Sequence, residues 1–388
     1  MNELDKKKLS DAEAYFRKAI EKNPDNYLYY YQLGRVLAMQ KKNPEALKNF
    51  ARCIELNDRF APAFYNSGYV NEQLGNTKSA LDFYVKAASV NPNHENAYIG
   101  QGHMLMELSQ FAKAKEAFHK ALNLNQKRAQ IYQELGSCYA AEKDYNSAEG
   151  YFKKALLCPD STNEKNAITY YNLSSVMYDQ NKKAESMDYA KKAYENKDRT
   201  DPVTKANIIY VYGLLTQEKG DDALAVQLYK EALAVNPKHV KANTNLGVLL
   251  LKKDDAANAV IALTLAYEVE PDNFEVNNNL GSAYRNISKF DKSAIHYKKA
   301  LSIKPNDLTV MQNLARSYAS AKDYKKARSI YETLIKKEPK KWDHLLELSR
   351  VCIFDGDPVS AEGYLAFLKA SAPDFHKAEV EAMLDELK

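Results

Sequence analysis

The chain lacks most of what catalytic sites are built from. Its 388 residues contain no GxGxxG, no Walker A loop, no HExxH and no GxSxG, so the usual phosphate, zinc and nucleophile motifs are missing. The histidines, His94, His103, His119, His239, His296, His344 and His376, never stand at i, i+3 or i, i+4, which leaves no metal-binding pair on one helix face. Cys53, Cys138, Cys158 and Cys352 show no CxxC or metal-ligand spacing. The expectation is no enzyme, no cofactor and no metal.

Neither sign of charge is in excess. With 55 Lys and Arg against 51 Asp and Glu the net charge is +4, a poor match to a polyanion binder, which concentrates basic residues on one face. No apolar run approaches the roughly 18 residues that cross a bilayer. The opening MNELDKKKLS is polar, unlike a signal peptide. Free thiols acting as small hydrophobes suit a reducing compartment, so a cytoplasmic protein is expected. A periplasmic or lipid-anchored location would apply if a signal peptide had been removed.

What the chain does have is a period. Ala12, Ala46, Ala80, Ala114 and Ala148 stand 34 residues apart, each followed four places later by an aromatic: Phe16, Phe50, Tyr84, Phe118 and Phe152. Pro237, Pro271, Pro305, Pro339 and Pro373 keep the same step, as do Gly34, Gly68, Gly102 and Gly136, and later Gly213, Gly247 and Gly281. A fixed period of this length means one supersecondary unit copied along the chain, each copy burying its apolar face against its neighbours. Function is then expected on a surface.

Between Gly136 and Gly213 the spacing is 77 residues, two periods plus nine, which places insertions near residues 163–166 and 201–205. Within residues 61–94, Phe64, Ser67, Gly68 and Asn71 mark one face of a first helix, and Ala80, Leu81, Tyr84, Ala87 and Ala88 mark a second. Gly75 and Asn76 make the turn between them, and Pro92 ends the second helix. Glycine at a fixed helical position implies close helix approach. A bulky residue at Gly247 or Gly281 should therefore overpack the crossing by about 1–3 kcal/mol.

This pattern resembles the tetratricopeptide repeat, whose signature is met in Tyr132, Leu135, Gly136, Tyr139, Ala148, Phe152 and Ala155. Ten full units are counted from residues 27, 61, 95, 129, 167, 206, 240, 274, 308 and 342, after a half unit carrying Ala12, Phe16, Ala19 and Pro24. The resemblance implies an all-α fold, an α-solenoid of helix-turn-helix repeats forming a right-handed superhelix. The expected organisation is an N-terminal array at 1–162 and an irregular repeat at 163–205, a candidate hinge. A C-terminal array at 206–375 and a capping helix at 376–388 complete it, the latter with Val380, Met383, Leu384 and Leu387 on one stripe. In the irregular repeat Ser174, Ser186 and Ala190 replace the small, small and aromatic residues, which leads us to expect a local change of curvature.

The resemblance also implies a concave wall of first helices, with repeat positions 2, 5, 9 and 12 facing it. Those positions carry Tyr31, Arg35, Tyr65, Tyr69, Ile99, His103 and Met106, then Tyr171, Tyr178 and Tyr210, then Arg285, Arg316 and Arg350. Tyr84, Tyr139, Tyr284 and Tyr297 hold core positions instead. Asn66, Asn172, Asn245, Asn279 and Asn313 share position 6, as a rail of amides for an extended backbone or as bonds between neighbouring repeats. The three arginines are read either as donors to a carboxylate or as a solvated charged face. The family's carboxylate clamp for chaperone tails, with Lys at position 5 and Asn at position 9, is not matched in any unit.

The expected function is a non-catalytic protein-protein interaction scaffold that holds an extended peptide or a helix of a partner protein. No nucleic acid and no direct membrane insertion are expected, and nothing in the pattern sets an oligomeric state. The alternative is an envelope-associated subunit that binds a small ligand or serves a transporter.

Overall fold

A computed structural model describes residues 3–387 of the protein. Among them there are helices and turns and no strand. The chain divides into two compact units, Met1–Thr200 and Asp201–Lys388. The first holds α1 (Glu3–Lys22), α2 (Tyr27–Met39), α3 (Asn43–Leu56), α4 (Ala61–Gln73), α5 (Thr77–Val90), α6 (Glu95–Glu107), α7 (Phe111–Leu124), α8 (Ala129–Ala141), α9 (Tyr145–Leu156), α10 (Asn163–Asp179) and α11 (Lys183–Glu195). The second holds α12 (Pro202–Glu218), α13 (Asp222–Val235), α14 (Val240–Lys252), α15 (Ala256–Val269), α16 (Phe274–Asn286), α17 (Phe290–Ile303), α18 (Leu308–Ser320), α19 (Tyr324–Lys337), α20 (Trp342–Phe354), α21 (Pro358–Ser371) and α22 (Lys377–Glu386). In each unit successive helices pair as first and second members of a repeat, an α-solenoid arrangement.

Eight of the ten first helices begin at the residue the period assigns them. The other two, α10 and α12, start one turn early and run 17 residues against 13 for α8 or α14. The inserted residues are therefore an extra helical turn, and caps decide where it begins. Thr162 Oγ1 accepts from the Lys165 N–H at 3.4 Å, and Asp201 Oδ1 accepts from Val203 and Thr204 at 2.9 and 3.1 Å. The division between the compact units falls at Thr200 and Asp201, within the second inserted stretch.

Every repeat turns in the same way. The residue two places past the first helix is left-handed in all ten repeats: Lys41, Gly75, Ser109, Lys143, Asn181, Gly220, Asp254, Ser288, Lys322 and Gly356. Around it the Lys42 N–H reaches back to Leu37 O at 2.9 Å and the Asn76 N–H to Asn71 O at 2.9 Å, closing the helix end in Schellman fashion. Glycine holds only three of these ten places. The turn geometry is thus imposed by the packed helices on either side.

Close approach explains the recurrent helical glycines. A Cβ on Gly34, Gly68, Gly136 or Gly281 would lie 2.6–2.8 Å from the buried ring of Phe50, Tyr84, Phe152 or Tyr297 in the second helix. Gly247 meets Leu263 at 2.5 Å instead. The repeat containing Ser174 resolves the same constraint differently. Ala190 vacates the ring's volume, so side chains fit at Ser174 and Ser186, whose hydroxyls donate across the crossing to each other's carbonyls at 2.9 and 2.8 Å. Both serines are fully buried and satisfied.

Cys53, Cys138 and Cys352 are buried and free, and burial pushes the Cys53 and Cys138 thiols up to about 11 and about 12. Cys158 differs, being only half-buried. At the end of the second unit, Val380 is buried, and Met383, Leu384 and Leu387 of the terminal helix region pack on Leu345, Leu346, Leu365 and Leu368.

Candidate functional site

The first helices present one face in register, and a simple rule governs it: position 9 of one repeat meets position 6 of the next. His103 Nε2 lies 3.0 Å from Glu134 Oε1, and Arg316 pairs with Glu347 at 3.7 Å, both in that relation. Arg35 and Asn66 share one cavity in the same relation.

That cavity, about 590 Å³ between α2 and α4, brings together several of the residues read from the period. Arg35, Asn66 and Tyr69 line it, with Met39, Lys41 and Gln73. Tyr69 is 46% exposed and Met39 55%. Tyr31 stands behind as a brace, its ring edge-on to Phe60 at 5.0 Å and its hydroxyl accepting from Asn66 Nδ2 at 3.1 Å. The Arg35 guanidinium lies 5.7 Å from the Tyr31 ring and donates to Gln32 Oε1 at 3.2 Å.

The other tyrosines are not equivalent. Tyr65 is half-buried against Tyr84 and His94 at 5.6 and 4.8 Å, and burial pushes its phenol up. Tyr171 is also half-buried, with the same direction of shift from burial, while Tyr178 is 40% exposed. Tyr210 does not match the expectation of an exposed anchor. It is 9% exposed, stacked on Tyr229 at 5.8 Å and packed on His239 at 5.0 Å, the same pair of contacts that Tyr65 makes with Tyr84 and His94. Ile99, expected on the same face, is buried as well.

The position-6 asparagines divide between the two roles weighed for them. Asn66 bonds Tyr31, Asn245 donates to the hydroxyls of Tyr210 and Tyr229 at 3.4 and 3.3 Å, and Asn313 accepts from Arg285 at 3.3 Å. These three join neighbouring helices. Asn172 and Asn279 are half-buried and have no side-chain hydrogen bond among the described residues, so their amides remain open.

Two of the three second-unit arginines, Arg316 and Arg350, converge, but on carboxylates of the chain itself, while Arg285 bonds the Asn313 amide. Arg350 pairs with Glu347 at 3.1 Å, Arg316 reaches the same oxygen, and Arg350 also bonds Glu379 of α22. Glu347 occupies the position-6 slot where the preceding repeat has Asn313, a substitution legible in the sequence once the position 9 to position 6 contact is known. Among the described residues no group of three or more His, Cys, Asp or Glu could hold a metal ion, and no helix is long and apolar enough to cross a membrane.

His103 carries a pH prediction. Burial is the largest single influence and opposes its charge, but the Glu134 hydrogen bond together with the charges of Glu134, Glu72 and Glu107 outweighs it and raises the imidazole above its ordinary value of 6.5. With a raised folded pKa, the pair's stabilisation is complete at acidic pH and fades as pH climbs through that value. Imidazole proton shifts followed by NMR should give a midpoint above 6.5, and Glu134→Gln should lower it, because only the charges of Glu72 and Glu107 then oppose burial. A midpoint unmoved by the substitution would contradict the pairing.

Four tetratricopeptide-repeat family models match the chain, over residues 15–48, 61–94, 99–164, 213–268, 251–307 and 288–347. Among solved structures, PilF of Pseudomonas aeruginosa is 18% identical with a TM-score of 0.51, covering 58% of this chain and 96% of its own. A tetratricopeptide repeat protein from Parabacteroides merdae is 21% identical with a TM-score of 0.49, covering 64% of this chain and 94% of its own. No curated protein matches the chain. At this identity the PilF likeness speaks for the fold alone. With these family models together matching more than half of its residues, the chain belongs to the tetratricopeptide-repeat family.

Proposed function

We propose that the protein is a non-catalytic interaction scaffold that holds an extended segment of a partner protein against its first-helix faces. The observation that carries this reading is the cavity between α2 and α4, where an exposed tyrosine stands beside amide side chains. Asn43 and Gln73 can each donate to or accept from a peptide backbone whatever its sequence, and Asn66, whose Nδ2 is spent on Tyr31 and Pro62, keeps its Oδ1 as an acceptor, which suits recognition of an extended chain. Tyr69 adds a rigid amphipathic ring, a residue type that dominates binding energy where it is buried by a partner. The open amides of Asn172 and, in the second unit, Asn279 offer further backbone contacts on the same helix face.

The test begins with affinity capture by the full chain, followed by dissociation constants for the purified partner. Tyr69→Ala is expected to weaken binding by roughly tenfold or more. Val85→Ala, at a 48% exposed position on second helix α5, should leave it unchanged. Equal affinity for wild type and Tyr69→Ala, with loss on Val85→Ala, would move the binding surface to the second helices and end this reading.

A further inference from the structure

We propose that the cavity between α2 and α4 selects a carboxylate in the bound segment, a specificity that rests on the scaffold reading above. The cations on the first-helix faces differ in whether a carboxylate of the chain already neutralises them. The position 9 to position 6 contact gives His103 the carboxylate of Glu134 and Arg316 that of Glu347, and Arg350 holds Glu347 and Glu379. Arg35 occupies the same position 9, but its position-6 neighbour is an amide, Asn66, already turned to the Tyr31 hydroxyl. The slot that supplies a carboxylate to His103 and to Arg316 is here neutral.

Lys41 doubles the effect. It lines the same cavity from the left-handed turn residue that ends α2, with φ at 62°. Neither Arg35 nor Lys41 has a carboxylate within ion-pair distance among the described residues, and no acidic side chain lines the cavity. Arg35 spends one donor on Gln32 and keeps the rest of its planar fork, which matches a carboxylate in bidentate geometry. Tyr69 and Met39 flank the two cations with exposed apolar surface. The cavity therefore fits an acidic group next to an apolar residue. Arg316 and Arg350, already paired with carboxylates, do not, while Arg285 is turned to the Asn313 amide with no second cation lining a cavity beside it among the described residues.

A library of short soluble peptides, half with free and half with amidated C-termini, displayed against the purified full chain provides the test. Retained peptides should be enriched roughly tenfold in Asp or Glu beside an apolar residue, or in free C-termini if the chain end supplies the carboxylate. The charge-reversed variant Arg35→Glu/Lys41→Glu should lose that enrichment and gain one for Lys or Arg. Arg316→Glu should leave the preference as it is. Both substituted cations are exposed, so folding should survive, and circular dichroism of each variant checks that it does. Peptides that bind with loss on Tyr69→Ala but without acidic preference would overturn this proposal and leave the scaffold reading standing. Binding indifferent to Tyr69 and to both cations would overturn both.

Discussion

Replacing Gly136 by serine should destabilise the α8–α9 repeat when Phe152 is present and stabilise it when Phe152 is replaced by alanine. The first half follows from space: a Cβ at Gly136 would meet the Phe152 ring at 2.7 Å, so the crossing is overpacked by about 1–3 kcal/mol. Phe152→Ala alone removes a fully buried ring and should cost about 3–5 kcal/mol. The second half comes from the repeat that contains Ser174. There Ala190 stands in the aromatic slot and the Ser174 and Ser186 hydroxyls bond across the helices at 2.8–2.9 Å. Transplanting that solution as Gly136→Ser, Ala148→Ser and Phe152→Ala should recover about 1–2 kcal/mol of the loss from the paired hydrogen bonds. Because a repeat array unfolds in parts, native-state hydrogen exchange within α8 and α9 is the appropriate readout. An additive response, with Gly136→Ser harmful in both backgrounds, would show that the glycine and the ring are not coupled.

The second large effect is expected at the end of the second unit. Val380 is 2% exposed over Leu345, Leu346, Leu365 and Leu368, and α22 closes the last repeat through that contact. Val380→Asp would place an unpaired carboxylate in an apolar setting at a cost on the order of 3–5 kcal/mol, enough to undock a ten-residue helix. Exchange in α20–α22 should accelerate strongly, and the uncovered leucines should promote concentration-dependent association visible in sedimentation. Arg350→Ala is the milder comparison, since it removes only the partly exposed pairs with Glu347 and Glu379 and should shift stability by about 1 kcal/mol or less. If Val380→Asp behaved like Arg350→Ala, apolar docking of α22 would not be what closes the array.

The helices were legible because the period is carried by residues with one physical job each. Glycines that meet rings, alanines at the crossings and prolines after second helices recur often enough to fix the period, and all but two first helices start where the count places them. The exceptions are instructive. Thr162 and Asp201 are strong N-caps, so the inserted residues became helix, which a count of spacing alone does not show. At Ser174 the small residues bond across the helix crossing, a partnership that the count of spacing does not show.

The candidate site was legible only in outline. Position numbers give the face of a helix but not the depth of a side chain, which is why Tyr69 is exposed and Tyr210 is buried although both lie on first helices. Nor do they give partners: Glu347 and Glu379 neutralise arginines from neighbouring helices, and Lys41 enters the cavity from a turn outside the helical pattern. The contact between position 9 and position 6 of the next repeat is the missing rule, and with it Glu134, Asn66 and Glu347 sort themselves from sequence.

Site-specific photo-crosslinking tests the central claim most directly. A photoreactive residue placed at Tyr69 on α4, and separately at Val85 on α5, in the full chain bound to its captured partner, reports which helix face the partner touches. The account predicts a covalent adduct from position 69 and none from position 85. An adduct from position 85 with none from position 69 would contradict it.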